Sequence, residues 1–188
     1  MNASAAAASK DRYRAIAGHI DQMSRMVEAI ALELGFTPWR ARSLRAAAKL
    51  HDIGKVAIPD SILLKPGALT PPEWEVMKRH TLIGFELLAD SGDGMLDLAA
   101  TIALSHHERW NGAGYPQGLC GEQIPIEARI ASIADVFDAL TRPRSYREQI
   151  DAVSATEIIL SGSGSHFDPQ VADAFAAARR RFSIRVAS

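Results

Sequence analysis

Six histidines occur in the 188 residues, and five of them, His19, His51, His80, His106 and His107, fall within or at the ends of stretches with helical apolar spacing. His51 is followed by Asp52, His106 is followed by His107, and Asp135 lies inside the apolar stretch "IEARIASIADVFDAL". A carboxylate in such surroundings is costly to bury unless it is paired or bound to a metal. Neighbouring positions on a helix point about 100° apart, so an adjacent pair can flank one object between them. Imidazole nitrogens together with carboxylate oxygens suit iron, manganese or zinc better than magnesium or calcium. The candidate ligands are therefore His19, His51, Asp52, His80, His106, His107 and Asp135. That many groups over-supply one ion, and two ions sharing a bridging carboxylate make the more economical site. A single helical histidine is most often structural, and His166, in the loop "SGSGSHFDP", reads that way. For the others, the structural account needs several unrelated burials of polar groups.

Helices must position these groups. "DRYRAIAGHIDQMSRMVEAIALELG" spaces Ile16, Ile20, Met23, Val27, Ile30 and Leu34 helically and stops at Gly35. Thr37-Pro38 opens "PWRARSLRAAAKLHD", expected to carry His51 and Asp52 at its end. Gly54, Pro59, Pro66 and Gly67 break the next stretch into a loop. Thr70 and Glu73 form a capping box for one long helix, "TPPEWEVMKRHTLIGFELLAD". "GMLDLAATIALSHHE" is expected to be helical up to the loop around Gly114, and Pro125 restarts a helix that bears Asp135. "DAVSATEIIL" and "PQVADAFAAARRR" complete the set, and only "FSIRV" near the end suggests a strand. The expectation is an all-α, single-domain helical bundle over residues 11–182. Residues 1–10 read as a flexible tail or linker remnant, compatible with a regulatory domain upstream, and 183–188 as a C-terminal tail.

Hydrophobic residues at 47% and charged residues at 23% describe a globular chain with a real core. A net charge of -1 gives no electrostatic case for DNA or an anionic membrane, so an anionic substrate needs a local positive site. No apolar run approaches the roughly 18 residues of a membrane span. The single cysteine, Cys120, excludes an internal disulfide and fits a reducing compartment such as the cytoplasm.

The stretches "HDIGKVAIPDSILLKPGALTPPEWEVMKRH", "HHERWNGAGYPQGL" and "RIASIADVFDALTRPRSY", with the ending "HFDPQVADAF", resemble the HD-GYP domain. That domain is a branch of the HD metal-dependent phosphohydrolases. The resemblance implies an all-helical fold, hydrolysis of cyclic di-GMP to linear pGpG and further to GMP, and two transition-metal ions, iron or manganese before zinc. It implies that His51 and Asp52 are the HD pair, with Asp52 as the bridge. It gives His80, His106 and His107 to one ion and Asp135 to the other, and makes the first-helix His19 a further ligand. It implies that Lys55 acts on a phosphate oxygen, and that Arg144, Arg147, Tyr115 and Pro116 line the substrate pocket. Gly114-Tyr115-Pro116 is the loop that names the family and is associated with contacts to diguanylate cyclases. Departures from the family pattern fall at Ala15, Gln22, Asn111 and Ser145, and the first removes a glutamate that holds a third metal in some members. Two other readings stay open: a phosphohydrolase for another nucleotide or cyclic dinucleotide, and a module that binds without turnover.

Overall fold

The computed structural model of the protein describes residues 20–142 and 149–186. His19, Arg144 and Arg147 lie outside the described residues, as do Ala15 and Ser145. Among the described residues the β pairing amounts to two isolated bridges, Asn111–Cys120 and Ser163–Phe167, and the regular structure is helical. The helices are α1 (20–33), α2 (Pro38–Ala48), α3 (Asp60–Leu63), α4 (Pro71–Lys78), α5 (His80–Leu88), α6 (Gly94–Ser105), α7 (Ile126–Thr141), α8 (Ala152–Ser161) and α9 (Pro169–Val186).

The capping expectations hold in the geometry. The Thr37 hydroxyl accepts from the Arg40 amide at 3.2 Å, and Asp151 accepts from the amides of Val153 and Ser154. Thr70 donates to Glu73 from its amide at 2.7 Å and from its hydroxyl at 2.9 Å. Helix α6 is the hub, packed against α2, α5 and α7, while α7 also rests on α8 and α9. The shared core includes Val27, Leu44, Ile102, Ile133, Phe137 and Phe175. Burying one such side chain stabilises the fold by about 1.5–3 kcal/mol.

Helix boundaries depart from the sequence expectation in four places. The expected helix 70–90 is two helices broken at Arg79, because the His80 ring reaches the Met77 carbonyl at 2.8 Å and the Thr81 hydroxyl donates to the Lys78 carbonyl at 3.0 Å. These side chains compete for carbonyls of the regular ladder. α2 ends at Ala48 rather than at Asp52, since Leu50 and His51 bond three residues back, to Ala47 and Ala48. α6 ends at Ser105 rather than at Glu108, leaving His106 as its cap and His107 beyond it. Finally, "FSIRV" is not a strand: α9 continues to Val186, because no Gly or Pro interrupts the Ala- and Arg-rich run.

After α2 the chain makes a short 3-10 helix, Ile53–Ala57, pressed against α5. Gly54 permits that approach, since a Cβ there would lie 2.0 Å from the His80 carbonyl oxygen and 2.5 Å from the Gly84 amide. This contact brings Asp52 up to His80.

Candidate metal centre

The candidate ligands come from helix ends, where side chains from different elements can converge on one point. His51 and Asp52 follow the end of α2, His80 begins α5, and His106 and His107 follow α6. Among the described candidates Asp135 alone projects from mid-helix, on α7. One ligand atom from each of Asp52, His80, His106 and His107 lies within 4.8 Å of the others, a group that could hold a metal ion. His80 Nε2 is 3.4 Å and His106 Nε2 3.9 Å from Asp52 Oδ1. His51 Nε2 sits on the other side of that carboxylate, 3.3 Å from Asp52 Oδ2 and 3.8 Å from Asp135 Oδ1.

Three rings are held in one orientation by carbonyls of the helix that precedes each of them. Nδ1 of His51 is 2.9 Å from the Ala48 carbonyl, Nδ1 of His80 is 2.8 Å from Met77, and Nδ1 of His106 is 3.0 Å from Ile102. A carbonyl only accepts, so Nδ1 carries the proton, and the Nε2 atoms of His80 and His106 present their lone pairs to the cluster. Among the described residues, the buried atoms Asp52 Oδ1, His80 Nε2 and His106 Nε2 have no hydrogen-bond partner. Uncompensated buried polar atoms are costly, and three acceptors facing one another fit a cation. The residues present therefore fit the metal that the residue types imply.

Electrostatics agree. Burial, then the neighbouring His80, lowers His107 to about 3. Burial and the other rings push His106 well below the usual imidazole value, and burial lowers His80. At Asp52 burial pushes the carboxyl up, but the His51 hydrogen bond with the charges of His51 and Lys55 outweighs it and holds the group well below the usual range. His51 is raised, because its bond to Asp52 outweighs its burial. A neutral imidazole and an ionised carboxylate are the forms that bind metal.

These shifts set an acid response for the metal-free protein. His80, His106 and His107 bind protons less readily folded than unfolded, where imidazole titrates near 6.5. Below that pH the unfolded chain takes up more protons, so stability falls as pH falls. Among the described histidines His51 alone opposes this, and the Asp52 contribution persists until pH drops below about 3.9. Thermal melts of chelator-treated protein should show the melting temperature dropping from pH 7.5 to 5.5; a rise over that range would contradict the assignment.

Beside the cluster lies the loop after His107. Tyr115 stacks on the His107 ring at 4.8 Å and meets the Trp74 ring edge-on at 5.9 Å. Burial and the carboxylates of Asp52 and Asp135 push its phenol up. A Cβ on Gly114 would fall 2.3 Å from the Arg109 amide, so the loop can fold this tightly only with glycine there. The Tyr115–Pro116 bond is cis. Sequence reasoning missed Glu108, which is 2% exposed and accepts from the amides of Gln117 at 2.7 Å and Leu119 at 3.1 Å. Its carboxylate pins the loop against the ligand pair it follows. Burial of a charge directly after two ligands was the available signal.

Lys55 donates to Asp52 Oδ2 at 2.5 Å, at the mouth of the cluster. Arg142, the described member of the basic run that includes Arg144 and Arg147, is ion-paired with Asp138 at 3.1 Å. His166 stands apart from the cluster, stacked on Phe167 at 4.0 Å and 3.2 Å from Arg109, in agreement with its structural reading. No described helix is long and apolar enough to cross a membrane.

Comparison with known proteins shows the family. The family model described as "HD domain" matches residues 5–171. The cyclic di-GMP phosphodiesterase response regulator RpfG of Xanthomonas campestris pv. campestris is 49% identical over 82% of this chain and 41% of its own length. The 3'3'-cGAMP-specific phosphodiesterase 2 of Vibrio cholerae is 41% identical over 86% of this chain and 31% of its own length. The chain thus spans less than half the length of these curated relatives. In fold it is similar to Bd1817, an HDG"Y"P protein from Bdellovibrio bacteriovorus, with a TM-score of 0.67, 23% identity, and coverage of 88% of this chain and 52% of that one. The chain belongs to the HD domain family, and Gly114-Tyr115-Pro116 beside its histidine cluster places it with the HD-GYP branch.

Proposed function

We propose that this chain hydrolyses a cyclic dinucleotide, cyclic di-GMP first, at a centre of two transition-metal ions. The observation that carries the reading is the two-sided environment of Asp52. Its Oδ1 faces His80 and His106, while its Oδ2 faces His51 and Lys55. A carboxylate with a separate set of nitrogens on each oxygen suits a bridge. His80, His106 and His107 would hold one ion, and His51, Asp135 and His19 the other. Nitrogen with carboxylate donors suits iron, manganese or zinc, and the resemblance to the HD-GYP domain puts iron or manganese first. Bound there, the ions supply Lewis acidity at a phosphoryl oxygen and lower the pKa of a water molecule.

The chain's own groups do the rest. Asp52 holds both ligand sets in register. Lys55, a compact cation beside them, stabilises charge that builds on the phosphoryl oxygens as the ester bond breaks. Tyr115 and Pro116 wall the pocket, and Glu108 keeps that wall in place. Arg144 and Arg147 grip the part of the substrate that is not cut, through their planar forks. Opening one phosphodiester of cyclic di-GMP yields linear pGpG, and a second cut yields GMP. A reducing, cytoplasmic setting suits the single cysteine and this substrate class. The Gly114-Tyr115-Pro116 loop is the surface we assign to a diguanylate cyclase or other signalling partner.

A second reading, 3'3'-cGAMP as substrate, is favoured by the relative of that specificity at 41% identity. Metal-loaded protein incubated with each dinucleotide, with products separated chromatographically, decides the matter. Cyclic di-GMP should be cleaved fastest, and a chelator should stop the reaction. Faster cleavage of 3'3'-cGAMP selects the second reading, and binding without cleavage of any dinucleotide makes the chain a binding module.

A further inference from the structure

We infer that Trp74 is the stacking platform for a purine base of the substrate, on the α4 side of the metal cluster. The inference rests on the cyclic dinucleotide reading above. Trp74 belongs to α4 and remains 44% exposed, although it stands in line with the site. The line runs outward from the ligands: His107 stacks on Tyr115 with ring planes 27° apart, and Tyr115 meets Trp74 at 80°. Tyr115 is committed to the histidine on one side and to the edge contact on the other. Trp74 ends the series and is the ring of the three left largely exposed.

The charge pattern favours a nucleotide over a purely apolar ligand. Lys78, one turn along α4 from Trp74, places its ammonium 5.9 Å from the Tyr115 ring centre. It pairs with Glu75 at 2.8 Å, but Glu75 is itself well exposed, so the pair is readily solvated and the ammonium stays available to an anion. Lys55 stands on Asp52 at the cluster, and Lys78 stands at the Tyr115 ring, so a cation accompanies each end of the path from the ligands to the aromatic wall. A phosphate at the cluster with its base laid outward over an indole matches this order of groups. Stacking is tolerant of base identity because each base has a π face. Trp74 thus sets the preference for a flat, purine-bearing ester over a small phosphodiester, and contributes little to the choice between guanine and adenine.

Initial-rate kinetics on metal-loaded Trp74→Leu and Trp74→Phe test this. Leucine keeps the helix and the apolar contact with Tyr115 but has no π face. Trp74→Leu should raise KM for cyclic di-GMP about tenfold, with kcat and ion content close to those of the wild type, the signature of lost uniform binding. Trp74→Phe should return KM to within about threefold of the wild type. An unchanged KM in Trp74→Leu, or a fall in kcat together with lost metal, overturns the stacking role. If the wild-type protein cleaves no cyclic dinucleotide, the substrate reading fails and the stacking role falls with it. If the wild type cleaves and Trp74→Leu matches it, the stacking role fails alone.

Discussion

Asp52→Asn is expected to abolish turnover, by at least about a thousandfold, while the helices persist. The substitution keeps the shape of the side chain and removes its charge. Asp52 Oδ1 lies among His80 and His106, and Oδ2 lies beside His51 and Lys55, so no other described carboxylate meets both sets. An amide presents one oxygen and one NH2, and can serve as ligand on one side only. Losing metal Lewis acidity removes several kcal/mol of transition-state stabilisation, and each 1.36 kcal/mol is a factor of ten. The fold should survive because Asp52 caps no helix by a side-chain bond and the core lies on other faces. Rates within about tenfold of wild type would remove Asp52 from the bridge.

Lys55→Ala should lower kcat by about 10²–10³, the usual effect of deleting one electrostatic stabiliser of the transition state. Lys55 is partly exposed and sits on the 3-10 helix, with its ammonium on the outer side of Asp52. It offers no lone pair while protonated, so it cannot replace a ligand, and the variant should keep its ions. Elemental analysis alongside the rate separates the alternatives. If Lys55→Ala loses metal in step with activity, the lysine serves the integrity of the cluster and does not act on the phosphate.

Much of this site was legible in residue order because ligands of different type were adjacent. His51-Asp52 and His106-His107 announce themselves, and helical periodicity was enough for the bundle and for the caps at Thr37, Thr70 and Asp151. What periodicity could not show is that the ligands sit at helix ends. Apolar spacing runs on through Leu50 and Ser105 with no breaker, whereas the observed ends are set by i→i−3 bonds and by histidine rings that take backbone carbonyls. The break at Arg79 has the same origin. Glu108 and Trp74 were invisible for a different reason. Their roles depend on the loop folding back, with Gln117 and Leu119 over one and Tyr115 against the other, contacts between separate turns of the chain. His19, Arg144 and Arg147 fall outside the described residues, so their assignment rests on the resemblance.

The central claim is a two-ion centre bridged by Asp52, and ion stoichiometry tests it most directly. Protein purified anaerobically should carry about two iron or manganese ions per chain, and Asp52→Asn, still helical by circular dichroism, should carry fewer than about one. Wild-type protein holding a single ion, three ions or none under reducing conditions would contradict the account, as would an Asp52→Asn variant that retains both.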